Sequence, residues 1–87
     1  MSQKYRHSSK EVEAKQFLNV FGGPEDIIAW TKKRADCDIF GFNGYIHVRT
    51  TEDEVVLVAP DDYIIVDEQK NVFAVTEKYF LENYYPI

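Results

Sequence analysis

Apolar positions along this chain change their period several times, and each change marks an element. Over residues 10–18 they alternate, with Val12, Ala14 and Gln16 on one side and Glu11, Glu13 and Lys15 on the other. A period of two is that of a strand with one wet face. Gly22-Gly23-Pro24 breaks it, and Pro24 suits the first helical position, where its missing N–H would go unpaired anyway. Ile27, Ile28, Trp30 and Thr31 then form an apolar stripe. Glu25 and Asp26 lie in the first turn and Lys32, Lys33 and Arg34 in the last, as the helix dipole favours. The pattern predicts a helix over about 24–34.

Short strands follow. Residues 39–42 lead into Asn43-Gly44, a hairpin signal because both residues tolerate positive φ. Residues 45–51 alternate Tyr45, His47 and Arg49 against Ile46, Val48 and Thr50. Strands are expected over 54–59, 63–67 and 72–75, divided by Pro60-Asp61-Asp62 and by residues 68–71. If Glu52-Asp53 is a two-residue turn, Val56 and Val58 share the face of Tyr45, His47 and Arg49. Thr76 is placed to cap a short C-terminal helix over about 77–84, with Phe80, Leu81 and Tyr84 inward.

Strand, helix, meander, helix is the order of an α+β domain with a mainly antiparallel β-meander sheet. Val55-Val56-Leu57-Val58 and Tyr63-Ile64-Ile65-Val66 are apolar on consecutive positions. Neighbouring strand residues point to opposite faces, so these strands need cover on both. Internal cover by the two helices, a curled sheet, or a homodimer or partner face would each supply it, with internal cover first.

The length of 87 residues allows one core, read as residues 10–87 behind a polar, frayed N-terminal tail of residues 1–9. At 45% apolar residues the chain is not of the disordered class. One cysteine excludes a disulfide framework and a Cys-rich zinc module. No apolar run approaches the length of a membrane span, and Met-Ser-Gln-Lys-Tyr-Arg-His lacks the apolar core of a signal peptide. Net charge is −5, which argues against a nucleic-acid binder. The charge is uneven: residues 1–49 hold eight bases and six acids, net +2, while residues 50–87 hold two bases and nine acids, net −7.

Candidate chemistry is sparse. Glu25 and Asp26 would repel phosphate at the Gly-Gly-Pro helix start, and the Lys and Ser/Thr of a P-loop are missing. His7, His47 and Cys37 have no metal-ligand spacing. Asp36 and Asp38 beside Cys37 should raise the thiol pKa rather than activate it. The serines all lie in the N-terminal tail, away from any nucleophile motif. No cofactor, metal or catalytic residue is expected. Two groups remain as partner-binding candidates. In a meander, Glu52 and Asp53 share an end with Asp67 and Glu68, forming an acidic rim. Tyr45, His47 and Arg49 share a strand face, where an apolar surface with a single Arg fits protein contact better than RNA. The aromatic-rich segment 78–85 adds a surplus Tyr as an interface candidate.

Two segments resemble a family of short phage and prophage proteins. Lys4-Tyr5-Arg6 followed by Val12-Glu13-Ala14-Lys15-Gln16-Phe17 is similar to its basic tail and V-E-A-x-Q-F opening strand. Pro60-Asp61-Asp62-Tyr63-Ile64-Ile65, with Phe73, Phe80 and Tyr84, is similar to its closing P-G-D-[WY]-I-I pattern. Asp61 stands where the family usually has Gly, and Asn71 near the usual Gly of the next turn. The match covers less than half of the chain. It implies a phage-borne protein in the bacterial host cytoplasm and carries no catalytic residue.

The expectation is a small acidic protein that binds another protein as an inhibitor or modulator of a host factor, in its sharper form a basic, nucleic-acid-handling one. A virion or assembly accessory protein is one alternative. Another is a small-ligand binder or enzyme using Tyr45, His47 and Arg49.

Overall fold

The computed structural model describes residues 3–7, 9–49 and 54–87. Its strands are β1 (Gln3–His7), β2 (Lys10–Gln16), β3 (Asp38–Phe42), β4 (Tyr45–Arg49), β5 (Val55–Val58), β6 (Tyr63–Asp67), β7 (Val72–Val75) and β8 (Tyr85–Pro86), and its helices α1 (Gly23–Lys32) and α2 (Glu77–Asn83). The fold is α+β, with two antiparallel sheets: β7-β6-β2-β1-β8 and β3-β4-β5.

The expected meander is therefore split. It runs through β3, β4 and β5, but β6 pairs with β2 instead of β5, from Val12↔Asp67 to Gln16↔Tyr63. The reason lies in β6, whose Ile64, Ile65 and Val66 are all buried. As an inner strand of the larger sheet, between β7 and β2, it has both faces covered. Ile64 and Val66 join a core with Ile27 and Trp30 of α1 and with Ile39, Ile46, Val48 and Val58 of the smaller sheet. Ile65 joins a second core with Val12, Ala14, Phe80 and Tyr84 under α2. The larger sheet is thus a middle layer, with α2 on one side and α1 and the smaller sheet on the other.

Residues 3–7 do not form a frayed tail. They make β1, hydrogen-bonded on one side to β2 (Tyr5↔Val12) and on the other to β8 (Tyr5↔Pro86). Tyr5 packs edge-on against Phe80, with ring centres 4.8 Å apart. The supposed wet face of β2 is also engaged. Lys15 pairs with Asp26 of α1 at 3.1 Å, and Glu13 accepts from Arg34 Nε. The Arg34 guanidinium lies 4.3 Å from the centre of the Trp30 ring and donates to the Trp30 carbonyl.

Helix α1 starts one residue before the expected Pro24. Gly22 precedes it at φ 82°, and a Cβ on Gly23 would lie 1.9 Å from the Leu18 carbonyl oxygen, so only glycine allows that approach. The Thr76 hydroxyl caps α2 by accepting from the Tyr79 N–H at 3.2 Å. Phe80 and Tyr84 are buried as expected, and Phe80 stacks on Tyr63 at 3.7 Å between ring centres. Leu81 corrects the expectation: it is 66% exposed, because a seven-residue helix turns only one narrow stripe to the sheet. Among the described residues, no helix is long and apolar enough to cross a membrane.

Candidate functional site

The site begins with the Asn43-Gly44 turn. Both residues have positive φ, 60° and 82°, which suits a two-residue hairpin and fixes the register Phe40↔His47 and Phe42↔Tyr45. Ile46 and Val48 point inward and are fully buried. Tyr45, His47 and Arg49 therefore point outward, as the alternation predicts.

The β4–β5 register differs from expectation. His47 pairs with Leu57 and Arg49 with Val55, which leaves five residues between Arg49 and Val55. A two-residue turn needs an even number. The odd count moves β5 by one position, and a one-residue shift exchanges its faces. Val55 and Leu57, not Val56 and Val58, share the outer face with Tyr45, His47 and Arg49. Val58 is fully buried instead, and Leu57 is 55% exposed.

The outer face of β3-β4-β5 is thus a grid of three cross-strand rows. Phe42 and Tyr45 form the row at the hairpin end. Phe40, His47 and Leu57 form the middle one, and Asp38, Arg49 and Val55 the far one. The His47 ring lies flat against Phe40, with centres 5.1 Å apart and planes 5° apart, and Phe42 meets it edge-on at 6.0 Å. Such aromatic contacts order the side chains in advance of any partner. Phe40, Phe42, Tyr45, Val55 and Leu57 are all exposed. Contiguous apolar exposure on this scale marks interaction surfaces. The one acid and one base on the grid, Asp38 and Arg49, cancel in charge.

Of the expected acidic rim, Asp67 and Glu68 lie among the described residues. Both belong to the β6–β7 end of the larger sheet, and Asp67 pairs with Val12 on the side covered by α2. The middle layer separates it from Tyr45, His47 and Arg49. Its carboxylate is also occupied. Oδ1 accepts from the backbone N–H of Gln69 and of Asn71, and Oδ2 from the Asn71 amide at 3.0 Å. Asp67 builds a turn. Glu52 and Asp53 lie outside the described residues.

No family model, curated protein or solved structure matches this chain.

A second feature went unread in the sequence. Helix α2 is too short to cover its side of the five-stranded sheet and leaves an open groove of about 620 Å³ lined by His7, Lys10, Asp67, Phe73, Tyr79 and Tyr84. The His7 ring lies 4.8 Å from that of Tyr84, and the Tyr79 hydroxyl is 3.3 Å from His7 Nε2. The groove offers ring faces, while its carboxylate is already committed to the turn. No sequence signal joins residue 7 to residues 79 and 84, because their contact requires β1 to pair into the sheet.

Cys37 is half-buried, and its thiol pKa is raised by burial first, then by Asp36 and Asp38, with Lys32 opposing. That agrees with the expected direction. Among the described residues, no group of three or more His, Cys, Asp or Glu side chains is arranged to hold a metal ion.

Proposed function

We propose that this protein is a non-enzymatic docking module that works by binding another protein through the outer face of β3-β4-β5. The observation that carries this reading is the exposed apolar grid around the stacked Phe40–His47 pair. Apolar contact would drive the association, and the cancelling Asp38 and Arg49 would set orientation more than affinity. The electrostatic version, a basic partner drawn to an acidic rim, draws no support from Asp67, whose carboxylate holds the β6–β7 turn.

A phage setting, in the bacterial cytoplasm, is part of the proposal. Its support is the resemblance of the two segments, together with Asp61. That residue stands at the family's usual glycine and has φ 77°, the left-handed conformation that favours glycine.

The test is affinity capture from bacterial lysate with wild type, a Phe40→Asp/Leu57→Glu double variant and a Glu52→Gln/Asp53→Asn/Glu68→Gln triple variant. Proteins held by wild type should survive high salt and the triple variant, and be lost with the double variant. Capture that follows the carboxylates and ignores the face would refute this reading.

A further inference from the structure

Resting on the reading that this face docks a protein, we propose that its occupant is a second copy of the chain, packed face to face about a two-fold axis along the Phe40–His47–Leu57 row. Three observations support it.

The first is charge. The chain carries −5 overall, yet the grid holds only Asp38 and Arg49 and is neutral. Among the described residues the other acids lie off this grid, and a strongly basic partner would be drawn to them rather than to it. A second copy brings neutral surface onto neutral surface.

The second is area. The half-exposed rings of Phe40, Phe42 and Tyr45, with Val55 and Leu57, offer on the order of 500 Å² per copy. Two copies would bury up to about 1,000 Å², the threshold for a biological interface and below the range of stable ones. That size suits a reversible dimer rather than an obligate one.

The third selects the axis. Two sheets can meet face to face about a two-fold that runs along the strands or across them. An axis along the strands would lay Arg49 on Arg49 and bring Asp36, Asp38 and Glu54 of both copies to the same end, like charge on like. An axis across the strands, along the middle row, places Arg49 over the Tyr45 ring of the second copy, twice by symmetry, as a cation–π contact. It sets Phe40 on Phe40 and Leu57 on Leu57, and it carries the two acidic ends to opposite ends of the dimer. Arg49 is free for this role, since among the described residues it takes part in no ion pair.

Sedimentation equilibrium over rising concentration should show wild type passing from one chain mass to two. Leu57→Glu and Phe40→Asp, each at an exposed position outside both cores, should weaken association about tenfold or more while the circular dichroism melt is kept. The axis is read by cross-linking in a Cys37→Ser background. A short bis-maleimide should join His47→Cys chains, whose sites face each other across the roughly 10 Å between packed sheets. It should fail with Asn43→Cys, whose sites would lie roughly 20 Å apart along the strands. A wild type that stays monomeric at millimolar concentration, a dimer indifferent to Leu57→Glu, or coupling through Asn43→Cys would overturn the inference. If the chain stays monomeric while the double variant still loses a captured protein, self-docking fails and the docking reading stands.

Discussion

Ile64 and Ile65 are neighbours in the chain, both are fully buried, and they belong to different cores. Ile64 meets the α1 side and Ile65 the α2 side, so a single peptide unit of β6 ties the three layers together. Ile64→Ala and Ile65→Ala should each cost about 2–5 kcal/mol, because each leaves a cavity in a packed core. Leu57→Ala, on the open face, should cost under about 0.5 kcal/mol. Urea unfolding of the three variants checks the contrast.

The β6–β7 turn pairs a good residue with a poor one. Asp67 holds it with both carboxylate oxygens, while Lys70 sits at φ 68°, where a side chain is strained. Lys70→Gly should stabilise the protein by about 0.5–1 kcal/mol, since relief of the left-handed strain exceeds the entropy that glycine adds to the unfolded chain. Asp67→Ala should destabilise it by about 1–2 kcal/mol through loss of the turn bonds. Paired thermal melts would show the two shifts in opposite directions.

Alkaline pH should loosen the α2 side first. The phenols of Tyr63 and Tyr84 have pKa values raised chiefly by burial, with Tyr5 and Glu77 adding to the first and Tyr79 to the second. The neutral phenol is the form the fold favours. Its stabilising effect is whole below the unfolded tyrosine pKa, near 10, and is lost as pH rises from there through the higher folded value. Stability measured between about pH 9 and 12 should fall for wild type and fall less for Tyr84→Phe.

Cys37 should be a slow thiol. Burial and the flanking Asp36 and Asp38 hold it protonated, and only the thiolate reacts. At neutral pH its alkylation by iodoacetamide should run slower than that of a free thiol such as glutathione. Urea should abolish the difference by removing burial, the larger cause. A rate equal to glutathione in the native state would show the thiol to be unshielded.

Elements whose cause lies within a few residues were legible from the chain alone. Strand β2, helix α1, the Asn43-Gly44 hairpin, β6, β7 and the Thr76 cap each follow from a local period, a turn residue or a side-chain cap. So did the outward set of Tyr45, His47 and Arg49, because alternation along one strand is a property of the backbone. The doubly apolar β6 was also readable as needing cover on both faces.

What the chain could not announce is which strand meets which. Strand β6 lies next to β5 in sequence but pairs with β2, because an inner position in the larger sheet buries Ile64 and Ile65 together. Residues 3–7 look like a polar tail and become an inner strand, because β2 and β8 satisfy their backbone. The face of β5 turned to solvent depends on whether the connection before it holds an odd or an even number of residues, and one residue exchanges Val56 for Leu57. Short-range sterics and periodicity act through the local chain, so the sequence determined the elements. Pairing, register parity and the resulting open face depend on burial shared between distant segments, and only the tertiary structure decided them.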